Sequence, residues 1–426
     1  MESAPLDAHK RRIVFAGVIG NILEWYDFAL FGYFAHTISD LYFPAESRLA
    51  SLLQVFAIFA VGYLMRPIGG IIFGHIGDRV GRKRALELSV ALMAIPTALT
   101  GLLPPYALIG AAAPVLLTVI RVLQGLSVGG EYIGSIAFLG EHAPPSRRGF
   151  IGSFCNTSAG GGILLGSAVA TLMTLILPTE QLDSWGWRVP FLAGILVGVV
   201  GWWLRRGVEE SPHFVEVTEG GAVARLPIRE AVRHGSKAIA TTFGLTLLVA
   251  VGFYMPFVWM PTFLADINTP ALPDALAVNT VTLAIGLLLM PWFGHLSDRI
   301  GRPPVILAGA LGYMLLTYPV FVLLEHGTLL AALAGQAIFA VLMAAVNGPM
   351  AAAFVEMFPT RTRYTGIAIG YNAGQALFGG TAPVVATWLI AETGTKLAPA
   401  LYLTVIAALS TVATLAIPIR FHENLE

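Results

Sequence analysis

The chain has 426 residues, of which 56% are hydrophobic and only 12% charged, with a mean hydropathy of +0.76. A water-soluble fold of this length cannot hide so much apolar surface, so the composition excludes an ordinary globular domain and points to lipid as the solvent. A net charge of 0 and an isoelectric point near 7.1 leave no electrostatic footprint for nucleic acid, and a single cysteine, Cys155, excludes an internal disulfide.

Apolar stretches recur at 13–36, 51–77, 86–103, 112–141, 149–178 and 186–206, and again at 238–265, 275–296, 305–325, 328–357, 364–391 and 397–419. A membrane-crossing helix needs about 20 apolar residues. The pattern therefore predicts an all-α integral membrane protein of twelve transmembrane helices. They fall into a six-helix bundle over 1–206, a cytoplasmic linker over 207–237 and a second six-helix bundle over 238–426. The first stretch follows Lys10-Arg11-Arg12 as a secretory leader would, yet it carries Glu24 and Asp27 and lacks a small-residue cleavage site, so it reads as a retained helix. Placing the N-terminus in the cytoplasm puts 20 of the 25 lysines and arginines on that side, which by the positive-inside rule predicts both termini to be cytoplasmic.

The two halves repeat each other. Gly74-His75-Ile76-Gly77-Asp78-Arg79-Val80-Gly81-Arg82 returns as Gly294-His295-Leu296-Ser297-Asp298-Arg299-Ile300-Gly301-Arg302, 220 residues later. Glu141 with Pro144, Arg148 and Gly149 returns as Glu356 with Pro359, Arg363 and Gly366. Parallel repeats of this kind place a solute site between the bundles.

Ionisable side chains inside a bilayer are costly and are functional candidates by default. Glu24 falls near the middle of the first helix, where Asn21, Glu24 and Asp27 share one polar face at spacings of three. A desolvated carboxylate titrates near neutral pH, which proton coupling requires. Arg66 and Arg121 lie at similar depth in segments two and four, each able to hold a carboxylate through its planar fork. The competing reading is that these acids and arginines pair with one another and only lock helices together.

Glu131 and Tyr132 fall ten residues beyond Arg121, toward the cytoplasm. With Asp78, Arg82, Glu131, Glu141 and Arg148 on one side and Asp298, Arg302, Glu356 and Arg363 on the other, a charge network is expected to close an inner gate. In the second half the cavity-lining candidates are Tyr254, Trp259, Asn347, Tyr371, Asn372 and Gln375, and Asn156 offers a polar face from segment five. Pro256 and Pro261 loosen segment seven on either side of Trp259. No nucleotide-binding loop, metal-ligand cluster or hydrolytic triad is present in the sequence, so no cofactor, metal, nucleotide or enzymatic activity is expected.

The paired Gly-x-x-x-Asp-Arg-x-Gly-Arg turns resemble the signature loop of the major facilitator superfamily. Gly20-Asn21-Ile22-Leu23-Glu24-Trp25-Tyr26-Asp27-Phe28, Arg66-Pro67-Ile68-Gly69-Gly70, Arg121 with Gln124-Gly125-Leu126-Ser127, and Trp185-Gly186-Trp187-Arg188-Val189-Pro190-Phe191 are similar to its metabolite:proton symporter branch. That branch carries 2-oxoglutarate, citrate, shikimate, or proline and betaine. The resemblance implies a monomeric symporter in the bacterial inner membrane that imports a small organic acid with a proton, and it adds Tyr26 and Gln124 to the substrate-binding candidates. Two alternatives stay open. One is a proton-coupled porter for zwitterionic betaine or proline, using cation–π contacts from Trp25, Tyr254 or Trp259. The other is a solute-binding membrane sensor. The osmosensing carriers of the branch end in a charged coiled coil, whereas this sequence stops seven residues after Ile419.

Overall fold

A computed structural model describes residues 21–22, 24–45, 47–70, 72, 82–127, 131–206 and 228–418. Apolar runs become helices because the bilayer core offers no water to their backbone polar groups, which must bond to one another. In chain order the helices are α1 (24–42, with a turn at Phe34), α2 (Arg48–Gly70), α3 (Arg82–Leu102) and α4 (Ala112–Ser127, then Glu131–His142). Helices α5 (Arg148–Ile176) and α6 (Arg188–Arg206) complete the first half. The second half holds α7 (Ile228–Tyr254, running on to Ile267), α8 (Ala275–Ile300), α9 (Arg302–Leu324), α10 (Leu329–Met357), α11 (Thr360–Gly374, running on to Thr393) and α12 (Ala398–Leu415). Among the described residues, nine helices are long and apolar enough to cross a membrane.

Local chemistry sets several ends. Ser47 accepts the Ala50 N–H at the start of α2, and Thr328 accepts the Ala331 N–H at the start of α10, each a side-chain cap for an orphan donor. Helix α7 is already formed at Ile228, ten residues before 238, because its turns over 228–237 carry Arg229, Arg233 and Lys237 and so escape a hydropathy reading. Wide π turns interrupt α7 at Met255–Trp259 and Phe263–Ile267, around Pro256 and Pro261, and interrupt α11 at Gln375–Gly379.

The halves meet along α2, α4 and α5 on one side and α8, α10 and α11 on the other. Helices α3 and α6 pack on each other at one flank, and α9 and α12 at the opposite flank. Their outer faces expose Ile95, Leu99, Leu196, Val199, Leu315 and Val412, the apolar surface expected to face lipid. The α5 and α8 backbones come together at Gly149 and Gly294, where a Cβ on either residue would collide with the other's carbonyl. Glycine is required there because two backbones, one from each half, touch directly.

Candidate functional site

On α1, consecutive residues advance by about 100°, so four side chains in a row reach different neighbours. Glu24 pairs with Arg66 of α2 at 3.5 Å. Trp25 turns toward the second half and lies near-parallel to Tyr254 of α7, ring centroids 6.2 Å apart. Tyr26 donates to the Pro190 carbonyl of α6 at 3.1 Å. Asp27 pairs with Arg121 of α4 at 3.0 Å. All four charged groups are sealed from solvent, at 4% exposure or less. A buried pair of this kind is not a strong source of stability, but each partner strands the other if removed.

Aromatic side chains from five helices surround the Arg66 guanidinium and its neighbours. Arg66 sits 5.3 Å from the Trp25 ring centre and 5.2 Å from that of Tyr63, within cation–π range. The Tyr63 hydroxyl contacts that of Tyr254, and Tyr132 of α4 stacks on Tyr371 of α11 with centroids 5.0 Å apart. Trp25, Tyr63, Tyr132, Tyr254 and Tyr371 are all buried, so they form a closed box between the halves. Arg121 is walled instead by Phe28 and Phe31, at 5.8 and 3.8 Å.

Hydrogen bonds hold the box from both sides of the Tyr132–Tyr371 stack. Asn156 donates from Nδ2 to the Asn347 carbonyl at 2.7 Å, and the Tyr132 hydroxyl donates to Asn156 Oδ1. On the other side of the stack, Gln375 Nε2 donates to the Tyr371 hydroxyl at 3.0 Å. Trp25 Nε1, Arg66 Nε and Gln375 Oε1 are buried with no protein partner. Asn372 is buried on the same helix as Tyr371 and Gln375.

Three expected substrate residues point elsewhere. Tyr26 faces α6, Gln124 donates to Thr97 of α3 at 3.0 Å, and Trp259 donates from Nε1 to Thr387 of α11 at 2.9 Å, deep in the second half. Their helices turn these side chains away from the box. Asn21 donates to Ser135 and Ser158 at 3.2 and 3.5 Å, joining α1 to α4 and α5 within the first half. Tyr63, which the sequence reading passed over, stands three residues before Arg66 on the same helix face, a spacing that could have flagged it. Tyr132, expected nearer the cytoplasm, belongs to the box.

At the end of the molecule that bears the duplicated basic turn, Asp298 accepts the N–H groups of Gly149 and Phe150 at 2.7 and 2.9 Å. This puts a carboxylate on the N-terminus of α5, where the helix dipole favours negative charge. Arg302 holds Asp298 at 2.6 Å and Glu356 at 3.0 Å, and Arg148 reaches across to Glu356 at 3.1 Å. Arg363 donates to the carbonyls of Val355 and Phe358 and holds the end of α10. Asp78 and the side chains of Arg82, Glu131 and Glu141 lie outside the described residues.

The opposite end is closed as well. The Tyr33 hydroxyl of α1 donates to the Phe257 carbonyl of α7 at 2.7 Å, a carbonyl to which Pro261, four residues on, offers no N–H. Asn279 of α8 donates to Tyr33 and Ser167 at 3.1 Å each, and Thr280 bonds Ser167 and Thr171 of α5. Above them His36 and Arg48 of the first half meet Asp266 of the second at 2.5 and 3.2 Å. The described side chains thus lock both ends around the box, an occluded state.

A twelve-helix protein whose two halves clasp a sealed polar and aromatic centre belongs to the class of alternating-access membrane carriers. A "Sugar (and other) transporter" profile matches residues 13–225 and a "Major Facilitator Superfamily" profile matches residues 265–425. A proline/betaine transporter of Salmonella typhimurium is 34% identical over 418 residues, covering 95% of this chain and 83% of that protein. A glycine betaine/proline/ectoine/pipecolic acid transporter of Dickeya dadantii is 33% identical over 420 residues, covering 96% and 83%. A putative proline/betaine transporter of Staphylococcus aureus is 36% identical over 407 residues, covering 95% and 87%. The fold matches that of the proton:xylose symporter XylE with a TM-score of 0.76 and 19% identity, covering 97% of each chain. The inward-open form of XylE from E. coli matches with a TM-score of 0.70 and 19% identity, covering 95% of this chain and 94% of that one. The chain belongs to the major facilitator superfamily, in its metabolite:proton symporter branch. It is a multi-pass membrane transporter and not an enzyme.

Proposed function

We propose that this transporter imports a small zwitterion of the proline and betaine kind together with a proton. The observation that carries the reading is that the two arginines at the centre already hold a resident acid, Arg66 with Glu24 and Arg121 with Asp27, beside a box of five aromatic rings. A simple carboxylate carried with a proton would be matched by the freed arginine but would leave the aromatic faces unused. A zwitterion uses both. Its ammonium suits the aromatic faces, and its carboxylate suits Arg66, which itself shows that the faces of Trp25 and Tyr63 accept a cation. The expected import of a simple organic acid gives way on this ground, and the relatives named above are called proline and betaine transporters.

Coupling follows from competition for the arginine. Protonation of Glu24 releases Arg66, and the substrate carboxylate then takes the place of the resident one. Asp27 and Arg121 form a second such pair three residues further along α1. Neither proton nor substrate binds well alone, because each would leave one buried charge unmatched. Bundles 1–206 and 238–426 then rock about the box, with the basic end facing the cytoplasm of a bacterial inner membrane and the carrier working as a monomer.

Purified protein in proteoliposomes, given an inward proton gradient, should concentrate labelled glycine betaine or proline, and collapse of both the pH gradient and the membrane potential should abolish it. Concentrative uptake of 2-oxoglutarate or citrate with no uptake of either zwitterion would restore the organic-acid reading.

A further inference from the structure

The hydrogen bonds beside the stacked Tyr132 and Tyr371 rings have a fixed direction. The Asn347 carbonyl can only accept, so Asn156 presents its Nδ2 to it and its Oδ1 to Tyr132, whose hydroxyl donates. Across the stack, Gln375 donates from Nε2 to the Tyr371 hydroxyl at 3.0 Å, which turns its Oε1 away from that ring.

What the Gln375 amide leaves free is an acceptor. Gln375 Oε1 is buried on a residue 2% exposed and has no partner. It lies over Gly379, where a Cβ would strike it, and next to the edge of Tyr254, itself a wall of the box. A buried carbonyl-type oxygen without a donor forgoes its hydration with nothing in return. The aromatic faces attract any ammonium, methylated or not, and cannot by themselves tell N–H from N–CH3. An oriented acceptor can.

We propose that Gln375 is the specificity-determining residue of the site, reading an N–H on the substrate's ammonium and so favouring an imino or amino acid over its fully methylated analogue. Tyr371, stacked on Tyr132, is the positioning residue that holds the acceptor in place. The proposal rests on the zwitterion reading above. A site built to bond an N–H leaves its own acceptor stranded when the analogue lacks one, which is why such sites discriminate strongly.

The test is a methylation series bound to the full-length protein in detergent and followed by calorimetry: L-proline with two N–H bonds, N-methylproline with one, and N,N-dimethylproline with none. For the parent protein, affinity should fall along the series, by about five- to hundredfold from first to last. Gln375→Leu should weaken proline by that factor and leave N,N-dimethylproline within about threefold, flattening the series. Tyr371→Phe, which removes the bond that orients the amide, should flatten it partly, while both variants keep the parent's elution profile and melting behaviour. A parent that binds all three equally, or a Gln375→Leu protein that is folded and keeps the parent ranking, overturns the proposal while leaving the zwitterion reading intact. A folded parent that binds none of the three but binds a dicarboxylate overturns both.

Discussion

Removing one charge of a buried ion pair strands the other in a medium that solvates it poorly, at a cost of about 3 to 5 kcal/mol. Asp27→Asn should therefore lower the melting temperature as well as accumulation, and so should Glu24→Gln, since Arg121 and Arg66 are left behind. Loss of transport in the single variants alone cannot separate a proton carrier from a helix lock. Neutralising both members can. Asp27→Asn with Arg121→Gln, and Glu24→Gln with Arg66→Gln, should regain most of the lost melting temperature in a thermal-shift assay. Accumulation against a gradient should stay absent. Recovery of proton-dependent accumulation along with stability would make that pair a lock and nothing more.

Among the elements, α7, like α11, has its regularity broken where the halves meet. Its Phe257 carbonyl serves Tyr33 because residue 261 is proline. Pro261→Ala restores an N–H at that position, gives the carbonyl a partner within its own helix, and should loosen the end of the molecule away from the basic turn. With Cys155 replaced by serine and a reporter cysteine at Thr280, a membrane-impermeant maleimide should label the Pro261→Ala protein several-fold faster than its parent. Equal rates would remove Tyr33 and Phe257 from the gate. The loosening prolines of segment seven, the twelve helices and the acids and arginines of α1, α2 and α4 were legible in the sequence, because hydropathy and intramembrane charge are written directly in residue type. Facing was less so. Tyr26, Gln124 and Trp259 are as amphipathic as Tyr63, Tyr132 and Tyr254, but one residue along a helix turns a side chain by about 100°. Only the packing of neighbours decides which of them meets the box. The pairing of Glu24 with Arg66, weighed from sequence as one of two readings, needed two helices brought to the same depth before it could be seen.

For the whole molecule, the two ends are locked by different chemistry. The basic end uses Asp298, Arg302, Glu356 and Arg148, which are charged and buried, whereas the other end uses Tyr33, Asn279, Ser167 and Thr280, which are neutral, beneath the partly exposed His36, Arg48 and Asp266. Asp298→Asn removes the carboxylate from the N-terminus of α5 and leaves Arg302 with Glu356 alone as its ion-pair partner. It should shift the resting population toward opening at the basic end, read as faster labelling of a cysteine placed at Ser153 in the same Cys155→Ser background. No change in rate would show that the ion pairs there are dispensable to closure.

The matched charges at the centre also have an electrical meaning. Glu24 with Arg66 and Asp27 with Arg121 sum to zero, so the empty carrier can turn over without moving net charge through the membrane field. Loaded with a zwitterion and one proton, the same centre carries one positive charge, and that half of the cycle alone feels the voltage, by about 2.3 kcal/mol per 100 mV for a full crossing. Uptake should then generate a current, and a potassium-diffusion potential, negative inside, should drive accumulation with no pH difference at all. A monocarboxylate carried with one proton would give no current under the same conditions.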